Sequence, residues 1–492
     1  MPRRYLLASV LASSLTACSL APKYHPPLVS VPASYKEIGP WKPAQPSDTL
    51  PRSAWWQLFQ DNTLNALEPK IDTANPDLAA AVARYDQSRD FAREAVAGYY
   101  PQVSVGAAFT TNKQSTRRPL RVVGGTPSPN YYGANELFAQ ASYEVDVWGK
   151  IRNQVAAGKA LAQASAADLA TTRLSLEGQL ASDYFMLRYM DADAKLLTDT
   201  VAAYQKALDL TTLLFKGKIA ASLDVTRAQT QLSLAKAQVS DIAGRRALLE
   251  HAIATLVGEP AASFSLPAEI TPFVLPDIPA GIPSTLLQRR PDIASAERNV
   301  KAANADIGVA RAAFYPSISL GARVGFESTN ANLLNLPYSF WSIGPDISMP
   351  VFTGGFLKAQ EAAAFGRFRE VSALYRSTVL TAFQQVDDNI ALLHWLGQES
   401  VDEDAGVKAA QETLDSALTL YREGASSYLE VVTAQTALLQ AQQGALDIQM
   451  RRITSDVGLI QALGGGWNVA DLPSNSDASK VTVSDNSLGS AN

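Results

Sequence analysis

Much of this chain is written twice, and the spacing of the two copies limits what it can become. Asn75-Pro76-Asp77 through Tyr100-Pro101-Gln102-Val103-Ser104-Val105-Gly106-Ala107 returns as Arg290-Pro291-Asp292 through Tyr315-Pro316-Ser317-Ile318-Ser319-Leu320-Gly321-Ala322. Leu223-Asp224-Val225-Thr226-Arg227-Ala228-Gln229-Thr230 returns as Leu429-Glu430-Val431-Val432-Thr433-Ala434-Gln435-Thr436, and the match runs on to Gly258 and Gly464. Offsets of roughly 215 and roughly 206 residues exceed any solenoid period, so this is one duplication into two tandem repeats and not an array. Each copy reads as helix, strand, loop, strand, very long helix, helix. Two isolated strands between long helices cannot close a sheet of their own.

Four segments carry the strand period: about 102–110, 138–148, 316–327 and 339–351. Ser317 to Glu327 alternates apolar residues at even positions with small, polar or charged ones at odd. In the others Val103, Val105, Ala107 and Phe109 share a face, as do Ala139, Ala141, Tyr143, Val145 and Val147, and Ile343, Ile347, Met349 and Val351. Such alternation suits a membrane strand with lipid on one side and water on the other. A soluble sheet half-buried on helices would show it too. Aromatic residues cluster at the strand ends (Tyr99, Tyr100, Trp148, Phe314, Tyr315, Phe340, Trp341, Phe352), as an interfacial girdle would, and favour the membrane. Four strands are too few, since small membrane barrels need at least about eight, and open edges in lipid strand backbone groups without partners. Three copies, giving twelve strands, are the economical closure, although the residues do not themselves count the copies.

The remainder is helical. Lys150 to about Phe215 holds no proline and only two glycines, and Phe356 to Arg422 mirrors it. The predicted long helices are about 150–215, 223–258, 355–421 and 428–463, and at about 1.5 Å per residue the longer ones reach about 100 Å. Val432, Leu439, Leu446, Ile453 and Ile460 form a heptad line on the last helix. A helix pair with one apolar seam and one wet face could line a tunnel; an ordinary solvated hairpin would look similar.

The first residues read as an address. Pro2-Arg3-Arg4 precedes the apolar run Tyr5 to Leu15, too short to span a bilayer permanently, and Leu15-Thr16-Ala17-Cys18 resembles a bacterial lipobox. Cys18 is the sole cysteine, so a covalent lipid there is the expected modification and no disulfide framework exists. Ser19 after the cysteine suggests, by resemblance, sorting to the outer membrane. A net charge of −5 argues against nucleic acid as a partner.

Enzyme chemistry finds no foothold. His25, His251 and His394 are the only histidines, and none has nucleophile or metal-ligand spacing. Met186 and Met190 read as core packing, and Gly464-Gly465-Gly466 precedes a tail and not a helix, so it cradles no phosphate. No catalytic residue, metal or cofactor is expected beyond the lipid on Cys18.

The whole mature chain resembles the TolC/OprM-type outer-membrane efflux proteins, in their NodT-like lipoprotein branch. The resemblance rests on Ala21-Pro22-Lys23-Tyr24-His25-Pro26-Pro27, on Trp55-Trp56-Gln57-Leu58-Phe59, on Leu286-Leu287-Gln288-Arg289-Arg290-Pro291-Asp292-Ile293 with Pro283 and Glu297, and on Ala462-Leu463-Gly464-Gly465-Gly466-Trp467. It implies a mainly α chain with a shared β-barrel: a homotrimeric, twelve-stranded barrel in the outer membrane, continuous with a long periplasmic α-helical barrel. It also implies a periplasmic adaptor (membrane fusion) protein and an inner-membrane RND-type transporter as partners, with this chain as the passive exit duct for drugs or other small toxic compounds. A duct for type I protein secretion and a non-conducting envelope scaffold are the alternatives. The expected divisions are a signal peptide at 1–17, a lipidated arm and equatorial segment at 18–74, repeats at 75–270 and 271–467, and a flexible tail at 468–492, with an external loop over 111–130.

The same resemblance marks a gate at the two helical turns opposite the strands. Tyr421 matches the family's gating tyrosine, Asp224 its acidic partner, and Glu430 the first acid of a ring that narrows the pore. The ring's second acid falls on Thr433 and a gating arginine on Ser426; Arg422 or Arg227 are the candidate substitutes. Three Glu430 carboxylates around a narrow aqueous opening would favour cations. A solvated acid at the positive end of a helix dipole is the plainer reading of the same residue.

Overall fold

In this computed structural model the described residues are 19–36, 54–113, 115, 122–123, 126–127, 131–270, 273–276, 278, 285–330 and 332–477. The leader, Cys18, Pro283, most of the 111–130 loop and the tail from 478 lie outside them.

Each repeat opens on a helix that begins with proline, where the missing N–H would have had no partner anyway. These are α3 (Pro76–Ala97) and α7 (Pro291–Ala312), preceded by the short helices α1 (Asn62–Leu67) and α2 (Pro69–Ala74) in the first copy and by α6 (Leu286–Arg289) in the second. Each feeds through Tyr-Pro into a strand: β1 (Gln102–Lys113) after α3, β5 (Ser317–Ser328) after α7. A two-residue ribbon, β2 (Val122–Val123) with β3 (Thr126–Pro127), lies between β1 and β4 (Tyr131–Glu144). The 3-10 turn Leu336–Tyr338 leads into β6 (Ser339–Ser348). β1, β4, β5 and β6 form one antiparallel sheet in that order, so each repeat contributes one hairpin and the hairpins meet at β4–β5.

The register sorts the sheet into two faces. Val103, Ala141, Ala322 and Ile343 lie in one row, and Val105, Ala139, Val324 and Trp341 in the next. Val103, Val105, Val324, Trp341 and Ile343 are each more than half exposed, so among the described residues nothing covers this apolar face. Ser104, Gln140, Arg323 and Ser342 share the opposite face.

The sequence-based expectation needs correction in two places. The second strand starts at Tyr131, not near 138, because Gly133 and Asn135 interrupt the apolar alternation while the pairing with β1 continues through them. It stops at Glu144 because Asp146 turns to cap the next helix, accepting from the backbone N–H of Ile151 at 3.0 Å and of Arg152 at 2.9 Å. Phe340 does not join the girdle. It sits on the polar face in the row Gly106, Phe138, Gly325, Phe340, whereas Trp341 faces the apolar side. The glycines explain how an aromatic fits there: a Cβ on Gly106 would lie 2.6 Å from the tip of the Phe138 ring, so the ring lies across a strand that has no side chain.

Helices α4 (Lys150–Lys216) and α8 (Phe356–Arg422) are 67 residues each, and α5 (Ser222–Leu256) and α9 (Tyr428–Ala462) are 35 each. α3 and α7 pack on α4, and α7 on α8, beside the strands; α5 returns along α4 and α9 along α8 beyond the midpoint. At the midpoint Trp55, Leu64, Leu180, Tyr184, Ile253, Leu286 and Ile453 form the largest core. Two segments singled out in the sequence acquire reasons here. Arg290 is buried and donates to the Ala462 carbonyl at 3.0 Å and Gln385 at 2.8 Å, tying α6 and α7 to the middle of α8 and the end of α9. Gly464, Gly465 and Gly466 all have positive φ, and a Cβ on Gly464 would strike the Arg289 carbonyl oxygen at 1.9 Å.

The amino-terminal arm is strapped along this scaffold. Ser19 Oγ donates to Asn153 Oδ1 at 3.0 Å, Asn304 donates to the Pro22 carbonyl at 2.9 Å, the Tyr24 hydroxyl donates to the Glu297 carboxylate, and the Lys36 N–H reaches Asp387 at 3.0 Å. Gly308 admits it, since a Cβ there would sit 2.7 Å from that of Ala21.

Candidate functional site

Two turns close the helix pairs at the end away from the strands. The first leaves α4 through Gly217 and Lys218, the latter left-handed at φ 63°; the second leaves α8 through Gly424 at φ 76°. Between them lies a small cluster. Tyr421, 7 % exposed, meets Tyr428 with ring centroids 5.2 Å apart, over Ala207, Ala417, Val431 and Ala434. Thr211, fully buried, holds its hydroxyl on the Ala207 carbonyl at 2.7 Å and lies against both phenols. Burial raises the Tyr428 phenol to about 12, with the Tyr421 ring and Asp224 adding to the rise and Thr211 opposing it. Burial also raises Tyr421, opposed by Thr211 and reinforced by Asp224. Both phenols therefore stay neutral at physiological pH.

Of the five expected gate residues, three come together. Asp224, in the first turn of α5, faces this cluster and pairs with Arg227 one turn on, at 3.6 Å. Such a partly exposed i,i+3 pair is worth at most a few tenths of a kcal/mol and orients more than it stabilises. Arg422 lines a groove of about 370 Å³ between α4, α8 and α9, beside Lys206, Tyr204, Leu210 and Leu418. Glu430 is exposed in the first turn of α9, and Thr433 beside it spends its hydroxyl on the Leu429 carbonyl. Ser426 Oγ is buried without a partner among the described residues. Sequence reasoning missed Tyr428 and Thr211 as members. Tyr428 follows Tyr421 across the turn, and that pairing of rings on facing helix ends was the available signal.

The heptad line of α9 behaves differently at its two ends. Ile453 and Ile460 are buried in the midpoint core, whereas Val432 and Leu439 are only half-buried. Near the turn the deep positions are Tyr428, Val431 and Leu438. The helix pair rolls as it leaves the core and presents a wetter face toward its tip.

A sheet that among the described residues has one uncovered apolar face and two unpaired edges, carried on helices about 100 Å long, defines a class: outer-membrane channels with a periplasmic helical extension. The family model "Outer membrane efflux protein" matches residues 70–259 and 282–465, one match for each repeat, and the chain belongs to that family. It is 32 % identical over 485 residues to the probable efflux pump outer membrane protein TtgC of Pseudomonas putida, covering 98 % of this chain and 99 % of the relative. It is 30 % identical over 472 residues to the cation efflux system protein CusC of Escherichia coli, covering 94 % and 98 %. The outer-membrane channel OprN superposes with a TM-score of 0.83 at 28 % identity, over 92 % of this chain and all of that one. The chain is an outer-membrane efflux protein and serves as an exit duct.

Proposed function

We propose that three copies of this chain assemble into one duct that passively carries drugs or other small toxic compounds outward. An inner-membrane RND-type transporter supplies the energy, and a periplasmic adaptor joins the two at the helical end. The observation that carries the reading is the sheet: among the described residues β1 and β6 each keep one edge unpaired, and lipid tolerates no open edge. Twelve strands from three copies close it with the apolar rows outward and the Arg323 row inward.

The lipid on Cys18 fits the same placement. Ser19 hydrogen-bonds Asn153, near the start of α4, and Arg311, at the end of α7, reaches the Leu20 carbonyl at 3.4 Å. Both helix ends adjoin the Trp148–Tyr315 stack, centroids 4.8 Å apart, at the helix-side rim of the sheet. That position of Ser19 and Leu20 beside the rim supports a lipid anchor on the residue before them. At the other end Tyr421, Tyr428 and Asp224 hold the two helix turns together as a closure, with Arg227 orienting Asp224. Glu430 faces the axis as one of three carboxylates, and Arg422 lies outside that closure on the groove.

The test is the mass and shape of the detergent-extracted particle, followed by conductance in planar bilayers. An elongated three-fold cylinder that conducts is the expected result. A monomer, a compact globule or an assembled particle with no conductance overturns the duct.

A further inference from the structure

The outer mouth of the sheet carries a cluster that conduction alone does not call for. A cavity of about 310 Å³ opens there between β4, β5 and the turn before β6, lined by Tyr132, Tyr338, Phe340 and Glu327 with Ser328 and Ser339. This end lies away from the helices, because α7 runs into the start of β5 and β4 leads toward α4. Tyr132, Phe340 and Glu327 all belong to the polar face of the sheet.

The charges around it are unbalanced. Glu136 and Glu327 are directly opposite on β4 and β5, an arrangement of like charges that a sheet disfavours unless a cation intervenes. Arg323 supplies one cation, but it goes to Glu136, at 2.7 Å. Among the described residues no cation pairs with Glu327. The rings nearby already show that they accept a cation: the Arg323 guanidinium lies 4.0 Å from the Phe138 centroid and 5.4 Å from that of Phe340.

The geometry points to a binding site for organic cations at the outer mouth, in which Glu327 supplies the charge and Tyr132, Tyr338 and Phe340 supply ring faces. Aromatic walls with a single carboxylate suit a quaternary or aromatic ammonium group, whose hydration shell is weak enough to leave behind. A small inorganic cation would need more oxygen ligands than this wall offers, and an anion would meet Glu327. The inference rests on the exit-duct reading and names a class of solute that pauses on its way out.

The test uses the full chain in its assembled, detergent-extracted form, titrated calorimetrically with benzyltrimethylammonium and, separately, with benzoate. The expected result is saturable binding of the cation and none of benzoate, weakened about tenfold or more by Glu327→Gln and several-fold by Phe340→Ala. Glu327→Asp retains part of the affinity. Asp346→Asn, which removes a carboxylate from the same face at the other end of the sheet, leaves it unchanged. Equal binding of benzoate, an unaffected Glu327→Gln, or an equal loss with Asp346→Asn overturns the site. Conductance of the same preparations separates the two readings: a conducting particle that does not bind the cation removes this site and leaves the duct standing.

Discussion

Single residues in the equatorial core set how this chain responds to pH. Glu68 is 1 % exposed, and neither of its carboxylate oxygens has a partner among the described residues. Burial, reinforced by the charges of Glu177 and Asp72, pushes it up from 4.5 to about 10, so it folds as the neutral acid. The neutral form's contribution is complete below the unfolded value and is lost as pH rises toward the folded one. Burial likewise raises Glu177 to about 7, opposed by its hydrogen bond from Trp55 and by Arg173. Glu68→Gln removes the titration while keeping the shape. Its stability relative to the unchanged chain should grow between about pH 5 and pH 9, by up to about 1.4 kcal/mol per pH unit. Thermal midpoints across that range check it, and a pH-independent difference would show that Glu68 is solvated. Nothing in the sequence distinguished Glu68 from its neighbours, since a lone acid at a helix junction looks solvated until the third dimension closes over it. The contact cluster at the helix turns was partly legible for the opposite reason. Tyr421 and Asp224 stand at matching turns of the two repeats, whereas Thr211 looks like any small polar residue in a leucine-rich helix.

At the scale of elements, period and punctuation carried most of the information. The 67-residue helices were visible because proline is absent and glycine rare within them, and they end within a residue or two of the expected limits. The edges of β4 were not legible, because pairing with β1 overrides the broken alternation at Gly133 and Asn135. Glycine weakens a strand in general, yet Gly106 is the position over which the Phe138 ring lies, and Gly325 admits the Leu137 carbonyl, 2.3 Å from where its Cβ would be. The proposed closure sits at the turns that join the helix pairs, where little apolar area is buried: beyond the Tyr421–Tyr428 contact the cluster is mostly alanine with leucines at its rim. Tyr421→Phe combined with Asp224→Ala should therefore loosen the closed end without unfolding the long helices. Cells carrying that pair should become several-fold more permeable to large antibiotics, because the Asp224 carboxylate and its pairing with Arg227 are lost from beside the cluster. Unchanged susceptibility, with normal protein levels, would place the closure elsewhere.

For the whole molecule, the number of copies was an inference from an unfinished sheet, and the properties of the pore depend on it. One exposed Glu430 is an ordinary helix-start acid; three around an axis make a ring that attracts cations. Reversal potentials across a salt gradient should show cation preference in the unchanged channel and a weaker one in Glu430→Gln. Identical potentials would leave Glu430 as a solvated acid. The sheet order also bears on where such a molecule came from. Its four strands are two hairpins, one from each repeat, joined at β4–β5 by the same antiparallel pairing that must join one copy to the next. An ancestor of half this length would have owned a single hairpin and a single long helical pair, and would have needed six identical copies to make the same ring. Fusion of two such genes halves the number of seams that must be found by diffusion and makes every second one covalent. It also frees the halves to diverge, so that matching positions now hold Asp224, beside the buried tyrosines, and Glu430, exposed in the first turn of its helix.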